Sequence, residues 1–138
     1  VDKTELYKER AALALTFVTM WCDAGHAEKR IESEEDIDLF LDVISPYELI
    51  KEELQGPTRD LETSTKRQTV FLALILLRRP SYSLGDIAKV FKREHGSILA
   101  CMRKCSGYHG LPSFEAGAQA WTYHGQCLVE GNGPDEEA

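Results

Sequence analysis

No stretch of the chain stays apolar for the roughly 18 residues that a membrane-spanning helix needs. The longest candidate, Val70 to Leu77, is followed at once by Arg78-Arg79. No basic-then-apolar leader follows Val1, so no secretion signal is expected, and the Val1 start suggests a fragment or a processed chain. No Gly-x4-Gly-Lys-Ser/Thr run occurs, which removes the common phosphate-loop class. The four cysteines, Cys22, Cys101, Cys105 and Cys127, include no Cys-x-x-Cys pair, and the apolar fraction is an ordinary 43%. Neither a disulfide framework nor a common zinc class fits that pattern, so reduced thiols in a cytoplasmic protein are expected. No Val/Ile/Thr alternation marks a sheet, and no internal repeat is visible. Lys and Arg are missing altogether after Lys104.

The overall charge of −7, if spread evenly, would repel a polyanion. It is not spread evenly. Residues 1–57 hold 6 Lys/Arg against 14 Asp/Glu, residues 58–104 hold 10 against 4, and residues 105–138 hold none against 5. A basic centre between acidic flanks is the footprint of an anion-binding surface. The plain alternative is a run of solvated Lys and Arg without a partner.

What is present is helical signal. Leu6, Ala11, Leu13, Leu15, Phe17, Val18 and Trp21 recur at helical spacing behind Thr4 as a cap, and Asp23-Ala24-Gly25-His26 reads as the stop. Ser33-Glu34-Glu35-Asp36 opens a helix through Ile44. Ser45-Pro46-Tyr47-Glu48 has a cap, a first-position proline and an acid three residues after the cap, which predicts a short helix to about Leu54. Gly56-Pro57 breaks the chain, and a longer helix runs from about Thr65 to Leu77. Ser83-Leu84-Gly85-Asp86 opens a helix through Phe91, Lys92 to Glu94 form a tight connection, and His95 to Cys105 form the next helix. Ser113 caps a last helix to about Val129, weakened by Gly117 and Gly125. Gly131 to Ala138 reads as a disordered acidic tail.

The expected architecture is all-α. It divides into an N-terminal helical appendage over 1–32, a multi-helix domain over 33–106, a C-terminal helix over 107–130 and a tail over 131–138. Within it, two helices joined by a short turn, the second opening on polar residues, form the helix-turn-helix pattern. Leu84, Ile87, Ala88 and Phe91 are spaced to pack the first helix, and Ile98, Leu99 and Met102 the second. That leaves Glu94, His95, Gly96 and Ser97 at the start of the second helix, where side chains reach base edges and backbone N–H groups favour phosphate. Lys92, Arg93, Arg103 and Lys104 flank the unit and supply a sequence-independent electrostatic attraction. Any bare helix pair also admits plain packing as its explanation.

The run Lys66-Arg67-Gln68, then Ser83-Leu84-Gly85-Asp86-Ile87-Ala88-Lys89-Val90-Phe91, then Arg93-Glu94-His95-Gly96-Ser97-Ile98-Leu99-Ala100-Cys101-Met102-Arg103-Lys104 resembles the C-terminal DNA-binding domain of the bacterial chromosomal replication initiator, DnaA. With looser similarity through Ser45-Pro46 and Glu48-Leu49, it covers residues 36–106, about half the chain. The resemblance implies a helix-turn-helix of the initiator C-terminal, Trp-repressor-like type, binding double-stranded DNA in replication initiation or its regulation. It implies that Arg59 enters the minor groove and that Arg67 and Gln68 contact the backbone. Ser83 and Leu84 would lie near phosphate, and Glu94, His95, Gly96 and Ser97 would read the major groove. Gly96 stands where the family has Thr, and Glu94 where it has Asp. One residue fewer separates Phe91 from Arg93, and about two more separate Gln68 from Ser83. A family lysine in the preceding helix thus has no direct counterpart, and Arg78 or Arg79 is the candidate to replace it. The family's backbone grip carries over more directly than its base specificity.

Other chemistries are less well supported. Cys101, Cys105, His109, His124 and Cys127 match no common zinc spacing, and Cys22 with His26 has no orienting acid or oxyanion element beside it. No enzyme activity, metal, cofactor or membrane association is expected. The serious rival is a protein-interaction module, of phage or mobile-element type, that keeps the fold without specific DNA binding. In either case the acidic N-terminal helices could meet a protein partner.

Overall fold

The apolar run Val70 to Leu77 forms the second half of a helix that is buried on every side. In a computed structural model, which describes residues 3–57 and 60–131, that helix is α4, Leu61–Leu77. All its residues from Thr69 onward are buried. A helix apolar around its whole circumference needs neighbours all round. They are α1 (Lys3–Trp21), α3 (Lys51–Gln55), α5 (Leu84–Val90), α6 (His95–Cys105) and α7 (Ala118–Val129). α2 (Glu34–Val43) packs against α1 instead. The described residues thus hold seven α-helices and no strand, an all-α architecture. None of these helices is long and apolar enough to cross a membrane.

α1 packs on the helices that follow it. Ala11, Ala14, Phe17, Val18 and Trp21 join the same core as α4, and Phe17 meets Phe40 of α2 edge-on at 6.2 Å. α1 stops at a π-helical turn, Cys22–His26, where Gly25 takes a φ of 93°. Ser33 caps α2 by accepting from the Asp36 amide at 3.2 Å, while the Asp36 carboxylate accepts from the Glu32 amide at 2.9 Å.

Three expected helix starts move, the first being α4, which begins at Leu61 rather than about Thr65 because Asp60 caps it by accepting from the Thr63 amide. The segment at Pro46 forms only a 3₁₀ turn, Ser45–Tyr47, because Glu48 is left-handed at φ 56° and its amide closes back on Ser45 O. That geometry ends helical progress, and α3 starts afresh at Lys51. Ser113 caps a 3₁₀ turn, Phe114–Ala116, rather than the last helix, because Gly117 at φ 89° and ψ 161° separates the turn from α7. The tail beyond Gly131 lies outside the described residues.

Two guanidinium groups hold the end of α4: Arg30 bonds a carbonyl that the helix C-terminus leaves open, and Arg78 ties the C-cap to the turn that follows. Arg30 Nη2 donates to Leu76 O, Arg78 O and Thr122 O at 3.1, 3.3 and 3.5 Å. Arg78 is only 3% exposed and donates to Pro80 O at 3.0 Å and Tyr82 O at 2.7 Å. Arg79 pairs with Glu32, and its amide joins Ile31 in a short parallel bridge. Arg78 is thus taken up by the fold, while Arg79 is paired at the surface.

α7 crosses α4 at Gly125. A Cβ built on Gly125 would lie 1.9 Å from Leu76 O, so the backbones touch where any other residue would collide. Thr122 reinforces the crossing by donating its hydroxyl proton to Ile75 O at 3.2 Å. Gly125 thus makes close packing possible, where its effect on helix propensity alone would count against α7. Gly125→Ala should lower unfolding free energy by about 1–3 kcal/mol, the usual range for overpacking. Gly96→Ala, with open space around its Cβ, should not. Urea denaturation of the two variants measures the contrast, and equal midpoints would contradict the close crossing.

Candidate nucleic-acid interface

The pair α5–α6 is built from strong local signals. Ser83 Oγ accepts from the Asp86 amide at 3.0 Å, and the Asp86 carboxylate accepts from the Ser83 amide at 3.1 Å, a complete capping box. Leu84, Ile87, Ala88 and Val90 face inward. Phe91 then inserts edge-on against Phe71, with centroids 5.6 Å apart. Lys92 reverses the chain in a left-handed conformation at φ 57°, and the Arg93 amide donates to Ala88 O at 2.9 Å. A non-glycine residue tolerates that conformation only where its surroundings hold it. The connection is four residues long, Phe91 to Glu94.

α6 buries Ile98, Cys101, Met102 and Cys105 and leaves Glu94, His95, Gly96 and Ser97 exposed at its start. The Glu94 side chain makes no cap hydrogen bond. The His95 and Gly96 amides, ahead of the first intrahelical acceptor, sit at the positive end of the helix dipole.

Beside this helix start lies a cleft of about 500 Å³ lined by Pro57, Arg67, Lys92, Arg93 and Ser97. Every ionisable side chain on that lining is a cation. Arg67 is 7% exposed and donates from Nε to Leu54 O at 2.8 Å and from Nη2 to Gly56 O at 3.4 Å. Burial first, and the nearby Arg93 cation second, draw its pKa below the ordinary guanidinium value, with Asp60 opposing. Arg93 donates to Gly56 O at 2.6 Å and to Phe91 O and Lys92 O, each at 3.2 Å. Lys92 is exposed.

The fold therefore gathers Arg67, Lys92, Arg93 and Ser97 at one cleft, with Glu94, His95 and Gly96 on the exposed turn beside it. Three of the other expected contact residues take part in the fold itself. Leu84 is 5% exposed and belongs to the core. The Ser83 hydroxyl is engaged in its cap. Gln68 is drawn toward α1, where its Oε1 accepts from Arg10 Nη1. Arg59 lies outside the described residues. Sequence reading missed Arg10, which is 5% exposed and also donates to Thr65 Oγ1 at 3.0 Å. It also missed Gln55, whose amide nitrogen donates to Val90 O at 2.6 Å. Only the position of Gln55 directly before Gly56-Pro57 hinted at a junction.

The basic centre contracts in three dimensions. Arg67 and Arg78 are buried, Arg79 pairs with Glu32, and Lys66 pairs with Glu62. Among the described residues, no carboxylate forms an ion pair with Lys89, Lys92, Arg93, Arg103 or Lys104. Arg103 lies over the Phe114 ring at 4.4 Å. Burial, and Asp23 after it, raise the Cys22 thiol pKa, the opposite of an activated nucleophile. Comparison with protein-family models, with curated proteins and with solved structures gave no match.

Arg67→Met should lower stability by about 1–3 kcal/mol, because the Leu54 carbonyl loses a buried donor. Lys92→Ala, on the surface, should change it by no more than about 0.5 kcal/mol. Thermal or urea unfolding separates the two, and a tolerated Arg67→Met would deny Arg67 its structural role.

Proposed function

We propose that this chain binds double-stranded DNA through α5 and α6 acting as a helix-turn-helix. The first turn of α6 meets base edges, and Lys92 meets the phosphate backbone. The observation that carries the reading is the meeting of an exposed, polar helix start, Glu94 to Ser97, with a cleft whose ionisable lining is wholly cationic. His95 can donate to a base or phosphate, Glu94 can accept from cytosine N4, and Ser97 can bond to several base edges. Gly96 exposes its backbone and brings no side chain. The resemblance of Ser83 to Lys104 to the initiator C-terminal domain supports the same orientation and suggests a role in replication initiation or its regulation. With few unpaired cations among the described residues, the grip is modest, and it falls with salt.

Fluorescence anisotropy with labelled duplexes tests this. Between about 50 and 200 mM salt, log affinity should fall against log salt with a slope of about −4, and Lys92→Ala should reduce its magnitude by about 0.9. His95→Ala should abolish any preference for an initiator-type box, a discrimination of about 1–3 kcal/mol. No affinity at the lowest salt would overturn the proposal and favour a protein-interaction module.

A further inference from the structure

Two segments distant in sequence each lend a side-chain donor to the other's backbone. Gln55, at the end of α3, donates to Val90 O, the last carbonyl of α5, at 2.6 Å. Arg93, in the α5–α6 connection, returns a bond to Gly56 O at 2.6 Å. Arg93 Nη1 also holds Phe91 O and Lys92 O, the carbonyls on either side of the left-handed turn. Arg67 fixes the same junction from α4 through Leu54 O and Gly56 O. The Gly56 carbonyl is therefore shared by two guanidinium groups.

We propose that Gln55 and Arg93 are positioning residues for the DNA surface, and that Arg93 acts by clamping the Gly56-Pro57 segment to the start of α6 rather than by gripping a phosphate. The inference rests on the DNA reading above and deepens it. The clamp sets the width of the cleft between Pro57 and Ser97 and holds Lys92 in the backbone conformation that carries its side chain outward. Arg93 suits this task because its planar fork serves carbonyls of two segments at once, which a lysine ammonium on a flexible stem does not reproduce. Gln55 carries no charge, so any effect it has on a polyanion must pass through geometry.

Two variants separate these roles. Arg93→Lys keeps the charge and loses the fork. Gln55→Met keeps the volume and loses the donor. Native-state hydrogen exchange on the full chain reads the clamp directly at the Leu54 and Gly56 amides, which bond to Ile50 O and Glu53 O. Each variant should speed exchange there about tenfold or more while amides deep in α4 keep their protection. Each should also weaken DNA binding about tenfold at fixed salt and leave the salt slope unchanged, since no phosphate contact is removed. Unchanged exchange at Leu54 and Gly56 would overturn the clamp. Faster exchange with wild-type DNA affinity in both variants would overturn its functional role, as would an Arg93→Gln variant whose salt slope falls by about 0.9. A wild-type chain without DNA affinity would instead overturn the DNA reading, and the exchange data would still decide the clamp.

Discussion

The structure depends on one constraint: the second half of α4 is apolar on every face and must be covered all round. Thr69 to Leu77 have no solvent side, so helices from both ends of the chain are recruited to the same axis. α1 brings Phe17 and Trp21, and α7 comes close enough at Gly125 for backbone contact. The α5–α6 pair closes the remaining side by inserting Phe91 against Phe71. Exposure of the first turn of α6 follows from this packing. Once Ile98, Cys101 and Met102 are turned toward α4, Glu94 to Ser97 extend beyond its shelter.

A second theme is the use of guanidinium groups in the interior. Arg30, Arg67 and Arg78 hydrogen-bond to backbone carbonyls at helix ends and junctions. A buried cation with carbonyl partners is stable only when several well-placed oxygens replace its water, and removing such a group leaves the oxygens unsatisfied. These residues belong to the scaffold, although in the linear sequence Arg67 and Arg78 add to the same basic block as Lys92 and Lys104. The surface left for an anion is correspondingly smaller than the charge count implies.

The helical architecture was legible because local signals and apolar spacing agree. The Ser83–Asp86 capping box and the turn between Phe91 and Glu94 both fall where spacing puts them. Ser45-Pro46-Tyr47-Glu48 misled because a capping pattern does not report that its acid adopts a left-handed conformation. Gly125 read as a weak point of a helix because propensity is local, whereas the crossing with α4 is tertiary. At the site, His95, Gly96 and Ser97 were legible from position alone. Leu84 carried two readings, packing of the first helix and a place near phosphate, and its burial bears out the packing. Gln68 was read through the resemblance as a backbone contact, and nothing local hinted at its partner Arg10, 58 residues away. Gln55 carries no motif at all, and its bond to Val90 exists only once α3 and α5 meet.

The proposed DNA-binding face is the start of α6. Backbone amide chemical-shift mapping with an unlabelled duplex tests it most directly, because every described segment is read at once. Perturbations should concentrate at Lys92, His95, Gly96 and Ser97, with α2 and the outer face of α7 unchanged. Shifts confined to α2 or α7, or none at low salt, would contradict it.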